Sequence, residues 1–113
     1  MSSTIKPLIA LLVLALTASS CIIHNPQPED CEQKQIVVQS ITEGSAYDIV
    51  FTEANGDFYY INRGLEQGLD LTQLQDKLLN KKVNLHLAKT MAGTSNHIAQ
   101  LTLDGSIVFT EFD

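Results

Sequence analysis

The sequence predicts a small, mainly β domain of α+β class, built from a twisted antiparallel sheet of five or six strands and one short helix. Three observations carry this. Runs of β-branched and aromatic residues recur at strand length, Asn-Gly and Asp-Gly pairs separate them, and only Leu71 to Leu79 repeats its leucines at helical spacing. With 113 residues there is room for one domain, and removal of an N-terminal segment leaves fewer than a hundred residues to build its core.

The first segment, 1–20, is read as a signal peptide. Met1 to Lys6 is polar with one positive charge, Leu8 to Leu16 is an unbroken apolar run of nine, and Thr17 to Ser20 is small and polar. Nine apolar residues fall far short of the ~20 that a membrane-spanning helix needs. The run Leu16-Thr17-Ala18-Ser19-Ser20-Cys21 resembles a lipobox, with Ala18 standing where that pattern prefers Leu, Val or Ile. The resemblance implies a bacterial lipoprotein, cleaved before Cys21 and anchored to membrane through acyl chains, such as palmitate, carried on that residue. Cysteine suits the role because its thiolate is a strong nucleophile, and two or more acyl chains hold firmly where one holds marginally. A competing reading takes Ala18-Ser19-Ser20 as an ordinary cleavage site and pairs Cys21 with Cys31 in a disulfide; both readings place the protein outside the reducing cytosol. Under lipidation Cys31 has no intrachain partner, so it is a free thiol or pairs with another chain.

Residues 21–34 are read as a flexible tether, because Pro26, Pro28 and a polar run from Glu29 to Gln33 offer little to bury. The domain is expected over 35–113. Its first strand opens at Ile36-Val37-Val38 and reaches Thr42 before the turn residues Glu43-Gly44-Ser45. The second, Tyr47 to Glu53, forms a hairpin with Phe58 to Asn62 across Asn55-Gly56. Two glycines, Gly64 and Gly68, then interrupt the pattern.

Leu71, Leu74, Leu78 and Leu79 place an apolar stripe on one helical face, preceded by Asp70 with Gln73 in capping-box spacing. Lys82 to Lys89 alternates, with Val83, Leu85 and Leu87 on one face and Asn84, His86 and Ala88 on the other, as a half-buried strand does. After a polar loop over 90–96, a last hairpin runs from His97 to Leu103, turns at Asp104-Gly105 and returns along Ser106 to Phe112. The helix thus falls between the third and fourth strands. That order resembles the OB-fold, a five-stranded Greek-key barrel with its helix in the same place, and implies either a small OB-like barrel or an open twisted sheet.

The net charge of −6 becomes −7 once Lys6 is removed, and the remaining basic residues are mostly scattered. That argues against nucleic acid, whose binders cluster Lys and Arg. No G-x-S-x-G, H-E-x-x-H or phosphate-binding glycine loop is present, so the chain is read as non-enzymatic and without cofactor. His86 and His97 lie on neighbouring strands but give only two of the three or four ligands zinc requires, so no metal site is assigned. Adjacent strand residues point to opposite faces, so one of Tyr59 and Tyr60 must face away from the core, close to Arg63. Tyr59, Tyr60, Arg63, His86 and His97 are therefore the candidate binding surface.

Length, tether and β-rich domain together resemble the small uncharacterised lipoproteins of bacterial envelopes. The resemblance implies export and lipid anchoring at the cell envelope, on the periplasmic or outer surface. Expected partners are the membrane, through Cys21, and an envelope protein or component. Two alternatives are a small-ligand or oligosaccharide binder built on the OB-like domain and an accessory subunit of an envelope complex.

Overall fold

The computed structural model describes residues 26–113. The expected signal peptide, Cys21 and the first part of the tether lie outside the described residues. The domain is mainly β, as the patterning predicts. Among the described residues its strands are β1 (Cys31–Val37), β2 (Ser40–Glu43), β3 (Ile49–Thr52), β4 (Phe58–Ile61), β5 (Lys82–Thr90), β6 (Gly93–Leu103) and β7 (Ser106–Thr110), with one α-helix, α1 (Leu71–Leu78), between β4 and β5.

Seven described strands form one twisted sheet in the order β1-β5-β6-β4-β3-β2, with β7 paired to β6. Five or six antiparallel strands were expected, and the sheet is mixed instead: β4 meets β6 in parallel at Tyr60 and His97. The two ends of the path, β1 and β2, are joined by only Val38 and Gln39 and form no ladder with each other. At that joint the Val38 N–H donates to the Lys81 carbonyl at 3.0 Å, while the Gln39 N–H turns the other way to the Thr52 carbonyl at 2.7 Å. What the sequence presents as one strand from Ile36 is thus two arms of a bent segment, serving β5 on one side and β3 on the other.

The sheet also takes in Cys31 to Lys34, four residues assigned to the tether, and Pro28–Asp30 before them forms a 3-10 turn. β5 supplies the reason. Its main chain from Leu85 to Ala88 needs partners on that side, and Cys31 to Lys34 provide them whatever their side chains are. The loop expected over 90–96 shrinks to Met91-Ala92, because β6 begins at Gly93.

Other elements follow the local chemistry. Gly56, at φ +93°, and the Asn55 side chain, which accepts from the Asp57 N–H at 2.9 Å, close the β3–β4 hairpin. Asp104 and Gly105, both at positive φ, give the β6–β7 turn the twist its strands need. Asp70 caps α1 by accepting from the Gln73 N–H at 2.9 Å, and Leu74 and Leu78 bury its apolar face. Gln75 ties the helix to β2 by donating to the Ile41 carbonyl at 2.8 Å. The core gathers Ile36, Ile41, Ile49, Phe51, Ile61, Val83, Leu85, Ile98, Leu101 and Phe109 around these two leucines, and no described polar or charged residue is buried.

Candidate functional site

A cleft of about 540 Å³ opens between the first half of β1, the start of β4 and the β5–β6 hairpin. Side-chain alternation builds it. Glu32 and Lys34 of β1 project to the same side as buried Ile36, but beyond the reach of the core, so they rim the opening. Tyr59 and Leu87, both buried, form its apolar floor, and Asp57, Thr94, Ser95 and Asn96 complete the rim.

Hydrogen bonds hold this rim in place. The Thr94 hydroxyl donates to the Glu32 carboxylate, joining β6 to β1. Ser95 donates to the Ala88 carbonyl at 2.5 Å, and Asn96 donates to the Phe58 carbonyl at 2.6 Å. The Lys34 ammonium stands 5.5 Å from the centre of the Tyr59 ring. The Tyr59 phenol, and then the Glu53 and Asp57 carboxylates, raise its pKa above the ordinary lysine value. The cleft therefore offers a cation, two carboxylates and neutral hydroxyl and amide groups over an apolar floor.

The five residues singled out by sequence do not converge. Tyr59 is the inward tyrosine, at 5% exposure, and lies in this cleft. Tyr60 faces the opposite side and meets His97 edge-on, with ring centres 5.6 Å apart. Arg63 binds Glu66 instead, at 2.7 and 3.3 Å, and its N–H donates to Asp48 at 2.8 Å. That pairing raises the Arg63 pKa and lowers that of Glu66.

The two histidines are taken by consecutive residues after β7. The His97 Nε2 lies 2.8 Å from the Glu111 carboxylate, and the His86 ring packs edge-on against Phe112 at 5.4 Å, leaving its buried Nδ1 without a hydrogen bond. Among the described residues no three His, Cys, Asp or Glu side chains gather as metal ligands. Comparison with known proteins finds no matching family model, curated sequence or solved structure.

Glu32, Lys34, Asp57, Thr94 and Asn96 are cleft residues that sequence reasoning missed. Glu32 and Lys34 stand in the stretch read as tether, and Thr94 and Asn96 in the stretch read as loop. Asp57 alone carries a local signal, its place beside the Asn55-Gly56 turn.

Proposed function

We propose that this chain is the precursor of a bacterial envelope lipoprotein, anchored through lipid on Cys21, whose domain acts without catalysis as a protein-binding module. The cleft carries the binding half of this reading. It is open, its floor is apolar, and its rim holds both signs of charge on strands already braced by hydrogen bonds, so little ordering is needed to receive a partner.

The anchoring half rests on residues 1–21. Since β1 begins at Cys31, only nine residues lie between it and Cys21, a reach of at most ~35 Å when fully extended and less with Pro28–Asp30 in its 3-10 turn. The domain therefore stands close to its membrane, with the Cys31 end of β1 nearer to it. Intact-mass measurement of protein recovered from membranes is expected to give a chain starting at Cys21 with added acyl mass, and Cys21→Ala is expected to abolish that modification and its anchoring. Recovery from the cytosol with Met1 attached would overturn this half.

A second reading, a small-ligand or oligosaccharide binder of OB-like type, draws support from the topology. The bent first segment serves both ends of the sheet, the helix follows β4, and β4 meets β6 in parallel, all consistent with that fold. A thermal-stability screen against sugars separates the two readings, because a ligand at a hundred times its Kd adds about 2.7 kcal/mol to the folded state.

A further inference from the structure

We propose that the free edge of β1 is a strand-addition site, which takes an extended polypeptide segment of an envelope partner by main-chain pairing. The proposal rests on the protein-binding reading above and names the element and the partner chemistry that would serve it.

Among the described strands, β1 pairs with β5 alone. Its register is unbroken from Cys31 opposite Ala88 to Val37 opposite Lys82, and Val38 continues it by donating to Lys81. In an antiparallel ladder, residues alternate between turning their N–H and C=O toward the partner and turning them away. Counting back from Val38, residues Ile36, Lys34 and Glu32 face β5. Gln33, Gln35 and Val37 face the other way, the side on which the Gln39 N–H reaches Thr52. β3 fills that side after Gln39; before it, no described strand does.

Space lies along the whole of this edge. The 540 Å³ cleft borders residues 32–34 and a second cavity of about 360 Å³ borders residues 35–37, each walled on its far side by the β3–β4 hairpin. A row of donors and acceptors repeating every second residue, roughly 6.6–6.8 Å apart, is the complement of another polypeptide strand. Sugar hydroxyls carry no such repeat. The other edges among the described strands are less suited: the outer side of β2 is met by α1, where Gln75 takes the Ile41 carbonyl, and on β7 the cavity at Val108 measures about 180 Å³ and is shared with α1. Partner side chains on the inner face of the added strand would meet Tyr59 and Leu87, with Lys34 and Asp57 at the rim. The geometry therefore favours an apolar residue beside a charged one.

The test uses the purified full-length protein, immobilised, and a phage-displayed library of random dodecapeptides; the enriched sequence is then synthesised and its affinity measured by fluorescence anisotropy. Gln33→Pro and Gln35→Pro each remove an edge N–H while sparing the β5 ladder, a position where proline is tolerated. Each is expected to weaken binding at least tenfold with little change in Tm, whereas Gln33→Ala keeps the native affinity. Should a proline variant unfold, N-methylation along the peptide supplies the same information: methyl groups on alternate residues abolish binding and those between do not. Enriched peptides that bind the proline variants as tightly as the native protein, a uniform response to N-methylation, or equal loss with Gln33→Ala overturn the strand-addition site while the module reading stands. A library that yields no binding peptide overturns both.

Discussion

The His97 Nε2 and the Glu111 carboxylate lie 2.8 Å apart, and this pair fastens the chain's last residues to β6. Both side chains are largely shielded, at 24% and 19% exposure, and the Glu111 N–H adds a second tie by donating to the Ala99 carbonyl at 2.8 Å. Phe112 then lies against His86, so two neighbouring residues cover two histidines on different strands.

Glu111→Ala removes the side-chain tie and leaves the main-chain one. The expected loss is about 1 kcal/mol, which lowers the Tm of a domain this size by roughly 4–8 °C. Phe112→Ala is expected to add to it, because the His86 ring then loses its cover. Thermal unfolding of both single variants and the double variant checks this, and strictly additive losses would show that the two contacts do not act as one clasp.

Gly64 is held by packing. A Cβ at this position would stand 2.7 Å from Ile49 Cδ1 and 3.1 Å from Ile61 Cγ2, and both isoleucines are fully buried. Neither can withdraw without disturbing the core, so Gly64→Ala is expected to cost about 1–3 kcal/mol in urea unfolding. Gly44→Ala makes the control. Its Cβ would come within 2.8 Å of Val50 Cγ2, but Val50 is only half-buried and has room to give, so a smaller loss is expected.

Asp70 supports a helix of eight residues, too short to persist without its cap and its packing. Asp70→Ala frees the Gln73 N–H and is expected to cost about 1 kcal/mol, while Asp70→Ser, which can still accept that bond, stays close to the native value. Chemical denaturation of the three proteins side by side measures the difference.

How far the fold could be read from sequence depends on whether a side chain or the main chain decides each element. The β3–β4 hairpin was legible because Asn55-Gly56 dictates its turn, and α1 because Leu74 and Leu78 must be buried. β1 was not legible before Ile36. Glu32, Gln33 and Lys34 are exposed and carry no hydrophobic pattern, and only the ladder to β5 makes them a strand. For the same reason the cleft was largely invisible: its rim is drawn from β1, the β3–β4 turn and β6, segments brought together only by the sheet order. Alternation established that one tyrosine faces outward, but not which. The choice falls on Tyr60 because β4 places Tyr59 opposite Phe51 in the core and Tyr60 beside His97.

Cys31, half-buried where β1 starts, gives a prediction with a definite direction in pH. Burial, followed by the nearby Asp30 and Glu111 carboxylates, raises its thiol pKa above the ordinary 9.0. The thiol is therefore protonated at neutral pH, and iodoacetamide is expected to label Cys31 several-fold more slowly in the folded protein than in urea, as read by peptide mass spectrometry. The same shift links to stability. A proton held more tightly in the folded state than in the unfolded one leaves stability unaffected below pH 9, then lowers it as pH rises through 9.0 toward the folded-state value, because the unfolded chain releases its proton first. Cys31→Ser does not ionise in that range, so the difference in unfolding free energy between the native protein and this variant is expected to be flat below pH 9 and to shift in favour of the variant above it. A difference that stays flat into the alkaline range would mean that Cys31 ionises equally well in both states.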